Sequence, residues 1–536
     1  MNGDSTAYLI LVMAPRPKPP QDAWDHVRDP MNPSVPPQAE VVAFLASPAA
    51  FGGRGPVRHV ETHGAHVFIA GDTALKIKRA VRYDYMDLST LALRGAMLRR
   101  ELELNAPAAP EIYDAVLPVV RSADGGLALG GEGEPVEWVL RMRRFRAEDE
   151  LPAVAARGGL TDAIAADLGR RVAAYHKAAP VRDLSGDRLV ADILAELRRV
   201  FADLTGDLPD TATRPVLRTL AARLSLLAPR LRERGAAGHV RRAHGDLHLR
   251  NIVLIGGRPV LYDALEFDET LGTCDLLYDL AFLLMDLCHR NLRRQAALTL
   301  STWLGEMDSL EDAGLAALPL FLAVRALIRA MVLIQTDRAV GAFGRSQAEA
   351  LAYVDEARRF LDPPAPVLVA VGGVSGTGKS VLARALAPHL GAAPGAVILS
   401  SDIERKAGGA VPDYAPAGRT AVYRRLLKRA RVLLDAGHAV LLDATFLEPG
   451  RRADAQALAR DMGVPFRPLW LAAPEAVLLA RVAARRGDAS DADAAVVRAQ
   501  LARAPDAADW PHLDASGPPE ATLDAALAVL APHPAG

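Results

Sequence analysis

The glycine-rich segment at residues 373–380 constrains the fold more than any other part of this 536-residue chain. It reads Gly-Val-Ser-Gly-Thr-Gly-Lys-Ser and directly follows the apolar run Val367–Val371. A strand, a glycine-rich turn and a helix from Ser380 form a phosphate-binding loop (P-loop), because glycines let backbone N–H groups turn inward around phosphate oxygens. Further apolar runs alternate with helical segments at Val397–Leu399, Ala439–Leu442 and Phe466–Leu471. A parallel sheet flanked by helices is therefore predicted.

The residues of this loop are candidate ligands of nucleotide phosphates. They are Gly373, Val374, Ser375, Gly376, Thr377, Gly378, Lys379 and Ser380. Lys379 would reach the β- and γ-phosphates, and the Ser380 hydroxyl would ligate Mg²⁺. Asp443 ends the run Ala439–Leu442 and is a candidate second Mg²⁺ ligand, although such an aspartate can also cap a helix. The alternative for the whole segment is a glycine-rich turn without a ligand.

A second phosphate-handling pattern lies at residues 244–251, His-Gly-Asp-Leu-His-Leu-Arg-Asn. Asp246 and Asn251 have the spacing of a kinase catalytic loop, in which the aspartate accepts the proton of the acceptor hydroxyl and the asparagine ligates Mg²⁺. Asp263 ends a predicted short strand, Pro259–Asp263, where another metal ligand belongs. His244 and His248 are predicted to be structural hydrogen-bonding residues, because no third metal ligand has suitable spacing.

The order of segments along the chain predicts two domains. Strand patterns at 57–78 and 137–145 enclose a helix at 91–105, and long helices follow to about residue 361. We predict a strand-plus-helix domain at 38–361, a stiff proline-rich linker at 362–366 and a P-loop domain at 367–536. The proline-rich residues 1–37 are predicted to be a disordered tail, with Met31 as an alternative start to Met1.

Charge and composition exclude some classes of function. The chain has 63 Lys+Arg and 64 Asp+Glu, so no global basic field favours nucleic-acid binding, although a local basic groove stays open. The apolar stretch Leu315–Gln335 contains Pro319 and two arginines, which favours a buried helix over a membrane span. Cys274 and Cys288 lie in apolar surroundings, which indicates reduced thiols and a cytoplasmic protein.

The pattern at residues 244–251 resembles that of the aminoglycoside-phosphotransferase-like kinases, which use His-Gly-Asp where protein kinases use His-Arg-Asp. Residues 61–63, 75–78, 87–91 and 100–105 look like a bacterial branch of that family, often fused to a P-loop kinase. The resemblance implies a bilobal protein-kinase-like fold and covers nearly everything after residue 37.

The resemblance also implies a lysine that positions the phosphates and a glutamate that holds it. The lysine is predicted to be Lys76, with Lys78 on the same strand face as the alternative. Its partner on the helix is Glu101 or Glu103. The alternative for all four residues is a solvated charged face. The nucleotide-covering loop departs from the kinase pattern, because it lacks Gly-x-Gly-x-x-Gly.

The region after the P-loop resembles the polynucleotide-kinase and zeta-toxin group of P-loop kinases. Their Asp-x-x-Arg motif matches Asp402 and Arg405, which implies that Asp402 is the general base and that Arg405 holds an anionic acceptor group. A helix-capping role for Asp402 is the alternative. Arg481 and Arg485 are similar to lid arginines that close over the transferred phosphate, or else belong to a solvated basic helix face.

These patterns together predict an α/β and α+β protein with a kinase-like amino-terminal domain and a P-loop domain. The predicted activity is ATP- and Mg²⁺-dependent phosphoryl transfer to a small-molecule hydroxyl acceptor, by two ATP-binding domains. The alternative is a nucleotide-binding sensor or switch in which one domain is catalytically degenerate.

Overall fold

A computed structural model describes residues 38–531, apart from residues 63, 84–85, 123–124, 308–309, 407–414, 485–492 and 504–508. The predicted tail at 1–37 lies outside the described residues. The chain forms two compact units. The first unit comprises residues up to 160 together with 178–283 and 324–357, and the second comprises 161–177, 284–323 and 358–536.

The strands, in chain order, are β1 Arg58–Glu61, β2 Ala65–Ala70, β3 Thr73–Lys78, β4 Arg82–Tyr83, β5 Met86–Asp87, β6 Tyr113–Arg121, β7 Leu127–Leu129, β8 Pro135–Arg143, β9 Val240–Arg242, β10 Ile252–Ile255, β11 Arg258–Leu261, β12 Thr273–Asp275, β13 Leu368–Gly372, β14 Val397–Ser400, β15 Val440–Asp443, β16 Phe466–Ala472 and β17 His512–Asp514.

The helices are α1 Ala39–Leu45, α2 Leu91–Asn105, α3 Leu151–Ala156, α4 Asp162–Ala178, α5 Gly186–Asp203, α6 Asp210–Ala236, α7 Leu276–His289, α8 Arg293–Glu306, α9 Leu318–Ala339, α10 Gln347–Leu361, α11 Lys379–Leu386, α12 Ser401–Lys406, α13 Pro416–Asp435, α14 Pro449–Asp461, α15 Glu475–Ala484, α16 Ala494–Leu501 and α17 Pro519–Leu530.

An antiparallel sheet of six strands, in the order β1-β2-β3-β8-β6-β7, forms the strand-rich part of the first unit. Side chains alternate between the two faces of a strand, and β3 shows this clearly. Leu75 and Ile77 pack in a core that includes Leu45 of α1. Lys76 and Lys78 therefore point to the opposite face, where α2 contributes Leu98 to a second core.

The predicted helix at 91–105 is confirmed as α2. Thr90 caps it, because the Thr90 hydroxyl accepts a hydrogen bond from the Leu93 N–H at 3.3 Å. The catalytic-loop segment 244–251 joins β9 to the β10–β11 hairpin. The strand predicted at Pro259–Asp263 is observed at Arg258–Leu261, so Asp263 lies just beyond its end.

In the described part of the second unit, a sheet of five parallel strands has the order β14-β15-β13-β16-β17. The central strand β13 is buried along its whole length, as expected of a parallel strand covered on both faces. The predicted fold class is thus confirmed: a kinase-like α+β arrangement and a P-loop parallel sheet flanked by helices.

Segments that precede the P-loop by many residues complete the second unit. Ala297 of α8 is buried in the same core as Val369 and Leu441 of the sheet. The Ser301 hydroxyl accepts a hydrogen bond at 3.0 Å from the N–H of Ile398, which lies on the edge strand β14. The linear boundaries 38–361 and 367–536 remain a prediction, and packing groups residues 161–177 and 284–323 with the second range.

One stretch of the described chain, Asp312–Ala339, is long and apolar enough to cross a membrane. The most apolar 18 residues of this stretch are 89% buried inside the protein, as expected of a core helix. The prediction of a buried helix is confirmed. Pro319 is the second residue of α9, where its missing N–H leaves no hydrogen bond unmade.

A buried histidine in the second unit makes stability depend on pH. His438 is fully buried, its Nε2–H donates to the Leu315 carbonyl at 3.0 Å, and burial lowers its pKa from 6.5 to about 4. The folded state therefore keeps His438 neutral, whereas the unfolded state takes up a proton below pH 6.5. Its contribution, about 3 kcal/mol, is fully present above pH 6.5 and is lost as the pH falls to 4.

The substitution His438→Gln is expected to reduce the loss of stability between pH 7 and pH 4.5, because a glutamine amide can donate to Leu315 without titrating. Urea denaturation at both pH values measures the effect. Equal losses in the two proteins would contradict the prediction.

Candidate functional site

Two buried lysines meet one glutamate on the α2-facing side of β3. Glu101 accepts from Lys76 Nζ through Oε1 and contacts Lys78 Nζ through Oε2, both at 2.7 Å. Lys78 also contacts Glu266 at 2.6 Å, whereas Lys76 lies 3.6 Å from Asp263 Oδ1. Lys76 is therefore the lysine nearer to the predicted metal ligand.

The glutamate in this cluster is Glu101 and not Glu103, whose partner is the neighbouring Arg100 at 3.0 Å. Burial raises the pKa of Glu101, but attraction by Lys76 and Lys78 outweighs it and lowers the pKa to about 2. Glu101 is thus ionised at neutral pH and holds both ammonium groups in place.

The candidate base Asp246 is held by the asparagine of its own loop. Asn251 Nδ2 donates to the Asp246 carbonyl and to its Oδ2, each at 2.9 Å. Asp246 is only 5% exposed, and burial raises its pKa while His244 and Arg325 oppose that effect. Among the described residues, Asp246 Oδ1 and Asn251 Oδ1 have no hydrogen-bond partner although both are buried.

Asp279 on α7 orients this loop, and the sequence patterns do not identify it. Its carboxylate accepts the backbone N–H groups of His244 at 3.1 Å and Gly245 at 2.9 Å. Gly245 has a φ of 83° and little room for a Cβ, which would lie 3.2 Å from the Gly272 Cα. The only signal was a charged residue inside the otherwise apolar segment Leu276–Leu284, where an unpaired carboxylate would be costly.

Asp263 adopts a backbone conformation that non-glycine residues rarely take, with a φ of 60°. The Tyr113 hydroxyl accepts its N–H at 3.1 Å, and the Asn105 side chain accepts the next N–H, from Ala264, at 2.7 Å. Burial raises the pKa of Asp263, and Lys76 opposes the increase. These contacts direct the Asp263 carboxylate toward Lys76.

The oxygen atoms of the first site fit a hard divalent cation. The uncommitted buried oxygen of Asn251 and the Asp263 carboxylate are donor types that Mg²⁺ prefers. Among the described residues, no group of three or more His, Cys, Asp or Glu side chains is arranged to hold a metal ion. Mg²⁺ would therefore depend partly on asparagine or serine oxygens and on substrate phosphates, as it commonly does.

The P-loop of the second unit lies between β13 and α11. Gly373, Gly376 and Gly378 have φ angles of 134°, 92° and 90°, which side chains rarely allow. A Cβ on Gly373 would lie 2.5 Å from the Leu471 carbonyl oxygen. Lys379 Nζ and Thr377 Oγ1 both donate to the Val374 carbonyl, at 3.1 Å and 2.8 Å. Three glycines of the predicted loop thus adopt backbone conformations that other residues rarely take.

The two predicted Mg²⁺ ligands of this unit contact each other. Ser380, in the first turn of α11, donates through Oγ to Asp443 Oδ2 at 2.6 Å. Asp443 is the last residue of β15, next to β13 in the sheet, and burial raises its pKa. A hydroxyl and a carboxylate at the carboxyl edge of a parallel sheet suit a Mg²⁺ ion bound to phosphates.

Asp402 and Arg405 lie one turn apart on α12, directly after β14. Arg405 Nη1 donates to Asp402 Oδ1 at 2.7 Å, and Asp402 remains about one-third exposed at 32%. The predicted base and the predicted acceptor-binding arginine are therefore neighbours. Helix α12 begins at Ser401, so Asp402 lies in its first turn.

One of the predicted lid arginines bonds to the backbone of residues 515–517 in the structure. Arg481 on α15 donates to the carbonyl groups of Ala515, Ser516 and Gly517. A role over the transferred phosphate remains a prediction, and it would require these bonds to be exchanged. Arg485 lies outside the described residues.

Two family models match the chain in separate regions. The model of the "Phosphotransferase enzyme family" matches residues 96–313 and includes Asp246, Asn251 and Asp263. The "AAA domain" model matches residues 368–506 and includes the P-loop. Both regions indicate kinase-type phosphoryl transfer.

Known proteins resemble the chain over most of its length or over single regions. The "Uncharacterized protein Rv2004c" of Mycobacterium tuberculosis (strain ATCC 25618 / H37Rv) is 33% identical over 491 residues, which are 86% of this chain and 93% of that protein. An adenylyl-sulfate kinase of Myxococcus xanthus (strain DK1622) is 34% identical over 109 residues, 20% of this chain and 59% of that protein.

Among solved structures, a choline/ethanolamine kinase family protein from Mesorhizobium loti has a TM-score of 0.39 at 19% identity, covering 61% of this chain and 98% of that one. The match to Rv2004c spans both regions at substantial identity. The chain thus belongs to the same family as the mycobacterial protein Rv2004c, and it joins an aminoglycoside-phosphotransferase-like region to a P-loop kinase region.

Proposed function

We propose that this protein is an ATP- and Mg²⁺-dependent phosphotransferase that acts on small-molecule hydroxyl groups, with one active site in each unit. The observation that most supports the proposal is that each unit gathers the same three kinds of group. These are a lysine for phosphates, oxygen ligands for a divalent cation, and a carboxylate that can accept a proton.

In the first unit, Asp246 is proposed to orient the acceptor hydroxyl and to accept its proton. Lys76, held by Glu101, would offset negative charge on the transferred phosphoryl group. Asn251 and Asp263 would hold Mg²⁺, which when bound draws charge from the phosphate oxygens. The isolated buried oxygen Asp246 Oδ1 supports this role, because it is a free acceptor inside the site.

In the second unit, Asp402 is the proposed base and Arg405 the proposed group that binds an anionic acceptor. The amides of the P-loop and Lys379 would hold the phosphates, while Ser380 and Asp443 would hold Mg²⁺. An acceptor that draws Arg405 away from Asp402 would leave the Asp402 carboxylate available for the hydroxyl proton.

A screen of metabolite extracts with γ-labelled ATP tests the proposal. We expect the intact protein to label at least one metabolite, Asp246→Ala to lose products of the first unit and Lys379→Ala to lose products of the second. The mass of each product would identify its acceptor. Lack of labelling and of ATP consumption with every pool would refute the proposed activity.

The same experiment separates the enzyme from a nucleotide-sensing switch. A switch would bind Mg²⁺ and ATP tightly without transfer and would bind a partner protein only with nucleotide. The two carboxylates that can serve as bases favour the enzyme, because a switch does not need a base.

A further inference from the structure

One peptide group of the P-loop is held from both sides. Lys379 Nζ donates to the Val374 carbonyl at 3.1 Å, and Gln500 Oε1 accepts the Ser375 N–H at 2.7 Å. The carbonyl and the N–H belong to the same peptide unit, and in a trans peptide they point in opposite directions. Gln500 therefore contacts the side of this peptide opposite to the Lys379 ammonium.

The side chain of Gln500 is delivered by a helix that packs on the loop. Val497 of α16 is fully buried and belongs to one small core with Val374 and Leu478. Asp493 caps α16, because its carboxylate accepts the Val496 N–H at 2.8 Å. This packing gives the Gln500 amide a defined position relative to Ser375, which is itself 7% exposed.

The identity of the contacting atom follows from its partner. Ser375 offers an N–H, so the atom that faces it at 2.7 Å must be the side-chain oxygen of Gln500. A side chain that accepts a hydrogen bond from the Ser375 N–H would keep the Val374 carbonyl turned toward Lys379. Without an acceptor, the buried Ser375 N–H would lose its partner, and a rotated peptide would regain one elsewhere.

We propose that Gln500 is a positioning residue of the P-loop, and that it fixes the orientation of the 374–375 peptide and, through the Val374 carbonyl, the direction of the Lys379 ammonium. The inference rests on the proposed function, since it assumes that this loop binds nucleotide phosphates. Gln500, which lies 125 positions from Ser375 in the sequence, would thus take part in the binding of the nucleotide phosphates.

Hydrogen exchange of the P-loop peptides, measured in the full chain with increasing Mg²⁺ and ATP, reports affinity at this site alone. Gln500→Met removes the acceptor while keeping the side-chain length, and it is expected to weaken ATP binding about tenfold. Gln500→Glu keeps an accepting oxygen and is expected to bind ATP closer to the parent protein than Gln500→Met does. Arg498→Met, an exposed position on the same helix, serves as the matched control and is expected to leave the affinity unchanged.

The possible results distinguish a positioning role of Gln500 from the alternatives. If Gln500→Met binds ATP like the parent, the positioning role is wrong. If Gln500→Glu binds ATP no better than Gln500→Met while α16 keeps its protection without ATP, an accepting oxygen is not what the loop needs and the positioning role is also wrong. If both variants bind ATP equally weakly, and if α16 exchanges its amide hydrogens faster than in the parent protein when ATP is absent, Gln500 contributes to folding only. If ATP does not protect the P-loop of the parent protein, the proposed function of this unit fails instead.

Discussion

Replacing Arg429 with methionine is expected to lower the free energy of unfolding of the second unit by about 3–5 kcal/mol. Arg429 on α13 contacts both oxygens of Asp312, at 2.8 and 2.9 Å, and Glu404 Oε1 at 2.5 Å. The side chains of Asp312 and Glu404 are only 2% and 8% exposed. Methionine would fill the space of the aliphatic stem but would leave the buried Asp312 carboxylate without its cation, and Glu404 would keep only the longer contact with Arg425, whose Nε lies 3.6 Å away.

The same variant is expected to displace α12, because Glu404 anchors the helix that carries Asp402. Arg431→Met on the same helix is the matched control: its partner is Asp461, both side chains are more than half exposed, and its loss is expected to cost below about 1 kcal/mol. Urea denaturation and hydrogen exchange of α12 and α13 measure both effects. Similar unfolding midpoints for the two variants would contradict the prediction.

Asp246→Asn is expected to reduce phosphoryl transfer by the first unit by about 10²–10⁴-fold, because an amide cannot accept the hydroxyl proton. The amide oxygen can still accept from Asn251 Nδ2, which now contacts Asp246 Oδ2 at 2.9 Å. Nucleotide affinity is therefore expected to stay near that of the parent. The measurement uses a chain that also carries Lys379→Ala, so that transfer comes from the first unit alone.

Asp114→Asn provides the control for Asp246→Asn, since Asp114 is an exposed carboxylate of the same unit paired with Arg141. It is expected to leave transfer and nucleotide binding unchanged. Full transfer by Asp246→Asn would show that another group takes the proton, and a parallel loss of ATP binding would show that Asp246 acts through the metal or the fold.

Elements with a strong local pattern are predictable from this sequence. The helix Leu91–Asn105 has the predicted bounds, and the strand before the P-loop starts within one residue of its prediction. Short-range features set both: a capping threonine, a helical period of apolar residues, and a glycine-rich turn after a buried run. The short edge strand His512–Asp514 was not predicted, because three residues carry too little periodicity.

Some residues of the candidate sites were likewise predictable from local spacing, whereas others could be distinguished only by their tertiary contacts. Asp246 and Asn251, or Lys379 and Ser380, lie a few positions apart, so spacing alone assigns them to one loop. Lys76 and Lys78 share a strand face, and the sequence predicted Lys76 with Lys78 as the alternative. Their contacts with Asp263 and Glu266 distinguish them, and these contacts depend on how distant segments pack.

By itself, the sequence determined the two phosphate-handling loops, the strands and helices around them and the fold class, because backbone geometry and local spacing govern all of these. Only the tertiary structure decided which helices complete the second unit, that Asp279 and Gln500 support the two loops, and that Arg429 bridges Asp312 and Glu404. Arg429 and Asp312 are 117 positions apart. Such pairs follow from burial, since a buried charge or N–H group must find a partner wherever the fold supplies one.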